Sequence, residues 1–149
     1  MGAMTSMINV VIDNSGSMRD NGKASLAANV FRIFKRELPA DTEINFYRWD
    51  TEVAQIDSPA GLRFLGSTDS ASLETFIAER NYEPILLVGD GVTEPSLNAI
   101  LKKSGSMYVA VGCDSDVSGL GRSIGRGRVF SWADCVACLH LYMASNAIT

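Results

Sequence analysis

The sequence predicts an α/β fold: one domain with a mainly parallel central sheet, one antiparallel edge strand and helices on both faces. Three observations predict it. Short apolar runs alternate with amphipathic stretches of helical period along the chain, and parallel strands covered on both faces read as such runs. One pair of strand-like stretches, joined by "DT" (50–51), has hairpin spacing. Finally, no repeat, low-complexity tract or linker divides the 149 residues, which is the size of one ordinary domain.

The elements follow in order. "INVVID" (8–13) is a fully buried strand. "GKASLAANVFRIFKREL" (22–38) spaces Leu26, Val30, Ile33, Phe34 and Leu38 as a helix does, with Pro39 just past its end. "TEINFYRW" (42–49) alternates Ile44, Phe46 and Arg48 against Asn45, Tyr47 and Trp49 as a strand, and "EVAQID" (52–57) returns beside it as the antiparallel edge. "SASLETFIAER" (70–80) opens on a serine cap and puts Leu73, Phe76 and Ile77 on one helical face. "PILLVGD" (84–90) is a further buried strand, and "SLNAILKKS" (96–104) a short helix after Pro95. "SMYVAVG" (106–112) and "RVFSW" (128–132) are the last strands, and "ADCVACLHLYMAS" (133–145) is the closing helix.

Composition narrows the function classes. At 46% hydrophobic and 20% charged residues, the chain has the make-up of a folded domain rather than a disordered one. A net charge of −4 argues against a nucleic-acid surface. No apolar run approaches the ~20 residues of a membrane-crossing helix, and "MGAMTSM" lacks the regions of a secretory signal. Residues 1–7 read as a cloning remnant, leaving 8–149 as the domain. The three cysteines, Cys113, Cys135 and Cys138, are odd in number. That fits a reducing compartment, and so the cytoplasm, better than a disulfide framework.

Ligands in open parallel sheets bind beyond the carboxyl ends of the strands, where the strand order reverses. Three loops in such positions carry oxygen donors: "DNSGSM" (13–18), "GSTDS" (66–70) and "GDG" (89–91). They offer two carboxylates, Asp13 and Asp90, and three hydroxyls, Ser15, Ser17 and Thr68, with no thiolate or imidazole. Hard oxygen donors of low total charge suit Mg²⁺. Gly16 allows the tight turn that lets both serines face one centre.

At these residues the sequence resembles the von Willebrand factor A (vWA) family, a Rossmann-like fold. Its D-x-S-x-S signature, part of the metal-ion-dependent adhesion site (MIDAS), is matched by Asp13-Asn14-Ser15-Gly16-Ser17. "DNSGSM" looks like the form found in intracellular and bacterial members. The family's second-loop threonine maps onto Thr68 in "GSTD", and its third-loop aspartate onto Asp90 in "GDG", where Gly89 stands in place of the customary threonine. The resemblance runs from Ile8 to about Ala144. It implies that the serines bind the metal directly, and that Asp13, Thr68 and Asp90 bind it directly or through water. It also implies that an acidic side chain of a partner protein fills the open position. Mn²⁺ and Ca²⁺ are the expected substitutes for Mg²⁺. The bland alternative is that Ser15, Ser17 and Thr68 only cap helices and bond loop backbone.

Other features carry less. Cys135 and Cys138 form C-x-x-C, but zinc needs further ligands, and only Cys113 is left to help. Their spacing with Leu139 is that of a buried helical face. The one histidine, His140, has nothing placing it near Ser15 or Ser17. "GLGRSIGRGR" (119–128) offers Arg122, Arg126 and Arg128 to phosphate or an acidic partner, and reads more simply as a flexible connection. "MRDNGK" (18–23) reads as a solvated rim, and Trp49 as either a contact residue or a packed edge aromatic.

The expected function is therefore a non-catalytic, Mg²⁺-dependent protein-binding module, monomeric by itself, with no nucleic-acid or membrane partner. The resemblance adds an intracellular assembly, for example with an AAA+ ATPase or a stress or defence system. One alternative is an aspartyl phosphotransferase or phosphatase of the haloacid dehalogenase type. That chemistry needs an acid at position 15, which is serine, and a lysine near a later strand end. The other is a scaffold whose metal only holds loops together.

Overall fold

A computed structural model describes residues 6–91, 94–112 and 117–145. The elements are β1 (Ser6–Asp13), α1 (Lys23–Glu37), β2 (Thr42–Trp49), β3 (Val53–Ile56), α2 (Ser70–Glu79), β4 (Leu86–Gly89), α3 (Pro95–Ser104), β5 (Met107–Ala110), α4 (Val117–Ile124), β6 (Val129–Ser131) and α5 (Cys135–Ser145). The six strands form one sheet in the order β3-β2-β1-β4-β5-β6. Every neighbouring pair is parallel except β2 with β3, the expected hairpin edge.

The apolar run in β1 is continuous because both faces of the strand are covered. Val10 and Ile12 point into a layer with Ala27, Val30, Phe31 and Phe34 of α1 and Cys135, Cys138 and Leu139 of α5. Val11 points the other way, toward Leu73 and Ile77 of α2, Leu97 and Leu101 of α3, and Leu120 and Ile124 of α4. Each large aliphatic side chain buried in this way stabilises the fold by about 1.5–3 kcal/mol. Phe31 adds a stack on Phe46 of β2, linking α1 to the sheet. Trp49 proves to be packed: it is buried, and its indole N–H donates to the Asp69 carbonyl at 2.9 Å.

Several local expectations are corrected. β1 begins at Ser6, ahead of Ile8. The cap of α2 is Asp69, whose carboxylate accepts from the Ala71 N–H at 3.1 Å, rather than Ser70. The closing helix starts at Cys135, because Trp132–Asp134 forms a 3₁₀ turn. Much of 119–128 is not a loop. It belongs to α4, held by buried Leu120 and Ile124 one helical turn apart, and the chain turns only afterwards, with Gly125 and Gly127 at positive φ. The stretch 18–23 is a solvated rim only in part: Arg19, Asp20 and Gly22 are exposed, whereas Met18 and Lys23 are buried. Cys113 lies outside the described residues.

The strand order places the site. The chain runs from β1 outward to β2 and β3, then returns to lay β4 against the other side of β1. The order reverses between β1 and β4, and their carboxyl ends carry Asp13 and Asp90 to the edge where such folds bind ligands.

Candidate metal centre

Asp13 ends β1, and the chain turns at once. The Ser15 N–H donates to Asp13 Oδ1 at 2.8 Å, and Gly16–Gly22 winds as a 3₁₀ helix before α1. This turn sets Ser15 Oγ 3.0 Å from Ser17 Oγ. Ser17 in turn donates to Asp90 Oδ2 at 2.5 Å, across from the end of β4. Asp13, Ser15 and Asp90 are buried, whereas Ser17 is exposed and opens the cluster to solvent.

Four of the five expected donors are thus brought together. Thr68 is the fifth. It lies half-buried in the second loop, and no hydrogen bond ties its hydroxyl to the other four among the described residues. Its loop is nonetheless pinned to the first. The Gly16 N–H donates to the Gly66 carbonyl at 2.9 Å, and Asn14 Oδ1 accepts from the N–H groups of both Arg63 and Phe64 at 2.8 Å. Asn14 also donates through Nδ2 to Asp50 Oδ2 at 3.1 Å. The Asp50 carbonyl accepts from the Asp69 N–H at 2.9 Å. Burial alone would raise the Asp50 carboxyl. Hydrogen bonds from Asn14, the Glu52 backbone and Arg48, with the Arg48 charge, hold it below its ordinary value instead.

The charges at the centre are unevenly compensated. Burial is the main cause that pushes Asp13 up to about 6, and the Asp90 charge adds to it. Hydrogen bonds from Ser15 and the charge of Lys23 act in the other direction. The Lys23 ammonium lies 3.8 Å from Asp90 Oδ2, with both side chains almost wholly buried. Sequence reasoning missed Lys23 and Asn14. A lysine inside "RDNGK" reads as surface, and the second position of D-x-S-x-S carries no signal of its own.

These residues fit a small hard cation. Mg²⁺ holds oxygens at about 2.0–2.1 Å in octahedral geometry, so adjacent ligands lie roughly 2.9 Å apart. The Ser15 and Ser17 hydroxyl oxygens, 3.0 Å apart, already have that spacing. No group of three or more His, Cys, Asp or Glu gathers among the described residues, so a zinc centre of thiolates and imidazoles is not found there. Cys135 and Cys138 are buried and free, and His140 is exposed on α5.

No protein-family model matches the chain, and no curated protein matches it in sequence. Solved structures do match. Proximal thread matrix protein 1 from the mussel byssus, solved with a zinc-occupied MIDAS motif, aligns with 91% of this chain and 45% of its own, at 16% identity and a TM-score of 0.63. A von Willebrand factor type A protein from Catenulispora acidiphila aligns with 97% of this chain and 42% of its own, at 16% identity and a TM-score of 0.58. The ArnB paralog VWA2 from Sulfolobus acidocaldarius aligns with 93% and 45%, at 15% identity and a TM-score of 0.61. The chain therefore has the Rossmann-like von Willebrand factor A fold. It spans less than half the length of each of these three chains.

Proposed function

We propose that the chain is a non-catalytic, Mg²⁺-dependent module that binds a partner protein through one of the partner's Asp or Glu side chains. The observation that carries this reading is the convergence of Ser15 Oγ, Ser17 Oγ and Asp90 Oδ2 at the sheet's reversal point. Asp13 and Thr68 complete the donor set, and Mn²⁺ or Ca²⁺ would substitute for Mg²⁺. When bound, the ion supplies an electrophilic position that an incoming carboxylate completes.

The chain's own charges favour such a ligand. Two carboxylates and the Lys23 ammonium leave the pocket at about −1, and a divalent ion turns it to about +1. A pocket with more carboxylates would neutralise the ion and weaken its pull on an anion.

The alternatives fit less well. A phosphotransferase needs a general acid at position 15, where the serine hydroxyl serves poorly. A metal that only ties loops together has little left to do, since Asn14, Gly16 and Asp50 already bond the loops to one another. Among the described residues, no helix is long and apolar enough to cross a membrane. A cytoplasmic setting belongs to the same proposal, supported by the free, buried Cys135 and Cys138. The AAA+ ATPase partner rests on the resemblance alone.

The test is to pan a displayed peptide library on the immobilised protein with Mg²⁺ present and elute with EDTA. The expected binders contain Asp or Glu, release on chelation and are not captured by Asp13→Asn. Binders that survive EDTA, or lack acidic residues, would contradict the proposal.

A further inference from the structure

Residue 89 is glycine for a reason that its backbone does not explain. Its φ is not in the left-handed region, so any residue could adopt its conformation. Space is what excludes a side chain. A Cβ built on Gly89 would lie 2.5 Å from the phenol oxygen of Tyr108, 3.4 Å from Tyr108 Cζ and 3.3 Å from Asp13 Cβ. Tyr108 stands on β5 opposite Leu87, on the face that Leu87 shares with residue 89. Its side chain reaches along the sheet to the place that a residue-89 side chain would take. There its oxygen accepts the Gly91 N–H at 2.9 Å.

The phenol is thus fixed at both flanks of Asp90: packed against residue 89 before it and hydrogen-bonded to residue 91 after it. Tyr108 is 2% exposed, so this contact is set by the core rather than by solvent. Burial, followed by the charges of Asp13 and Asp90, raises its phenol well above the ordinary tyrosine value.

We propose that Tyr108 is a positioning residue for Asp90, and that Gly89 and Tyr108 form a reciprocal pair in which the phenol oxygen from β5 takes the space beside Gly89 on β4 and holds the Gly91 N–H. This rests on the metal-binding reading of the site and adds to it a residue from a strand that contributes no ligand.

The experiment is a Mn²⁺ titration followed by electron paramagnetic resonance, at a temperature where every variant is folded by circular dichroism. Tyr108→Phe removes only the oxygen and is expected to weaken Mn²⁺ binding at least five-fold. Tyr142→Phe is the control. It deletes another buried phenol, which donates to the Pro84 carbonyl at 2.6 Å, and is expected to lower stability without changing Mn²⁺ affinity. Gly89→Ser puts a side chain into the phenol's place and is expected to weaken binding, whereas Gly89→Ser with Tyr108→Phe removes the 2.5 Å clash and leaves contacts of 3.3 Å to Asp13 Cβ and 3.4 Å to Cζ, so it is expected to recover affinity over Gly89→Ser. Wild-type affinity in Tyr108→Phe, or a double variant no better than Gly89→Ser, would overturn the pairing while leaving the metal site intact. A wild-type protein that binds no Mn²⁺ would overturn the metal reading and the pairing with it.

Discussion

Asp13→Asn separates what the site costs from what it does. Asp13 titrates at about 6 in the folded chain against 3.8 for an ordinary aspartate. A folded-state value above the unfolded one means that the stabilising contribution is complete below pH 3.8 and lost as pH rises through 6. At pH 7.5 the metal-free fold therefore holds a buried charge at a cost of about 3 kcal/mol, from a shift of roughly two units at ~1.36 kcal/mol each. Asparagine keeps the Oδ1 that accepts from the Ser15 N–H and cannot ionise. Urea unfolding in EDTA is expected to show Asp13→Asn more stable than wild type by up to about 3 kcal/mol at pH 7.5, or roughly 10 °C in Tm for a chain of this size. At pH 4.5, between the unfolded and folded values, the gain should fall to about 1 kcal/mol. Adding Mg²⁺ should stabilise wild type and leave the variant unmoved. A variant less stable than wild type at pH 7.5, or a gain equal at both pH values, would refute the reasoning.

Three further outcomes follow from the geometry. Lys23→Met removes a buried positive charge beside Asp90 and is expected to tighten Mn²⁺ binding at least three-fold while weakening capture of acidic peptides, both read by titration. Asn14→Ala leaves the Arg63 and Phe64 N–H groups without their acceptor, and urea unfolding is expected to show a loss of about 1–3 kcal/mol. Burial pushes the Cys138 thiol up to about 12, so mass spectrometry after iodoacetamide at pH 8 is expected to find it unmodified in the native protein and modified in urea.

Much of the architecture was readable because its causes are local. "TEINFYRW" matches β2 residue for residue, since alternation and β-branched or aromatic side chains there agree with each other. "VVID" read as a central strand because only a strand covered on both sides tolerates such a run. What escaped the sequence depends on distant partners. Lys23 looks like surface until Asp90 is placed beside it. Gly119 and Gly121 argue against a helix that Leu120 and Ile124 nevertheless anchor in the core. Asp69 outcompetes Ser70 as the cap of α2 because its backbone is already held by Asp50 and Trp49. At the site, the spacing of Asp13, Ser15 and Ser17 was legible within a few residues of chain. The meeting with Asp90 required the strand order, and the gap at Gly89 made sense only once Tyr108 was seen to fill it.

Whether Ser15, Ser17, Asp13 and Asp90 hold one divalent cation is read by a Mn²⁺ titration followed by electron paramagnetic resonance. One bound ion per chain is expected in the wild type, displaced by Mg²⁺, and none in a Ser15→Ala/Ser17→Ala variant that unfolds at a similar urea concentration. Undiminished binding in that variant, or no binding in the wild type, would contradict it.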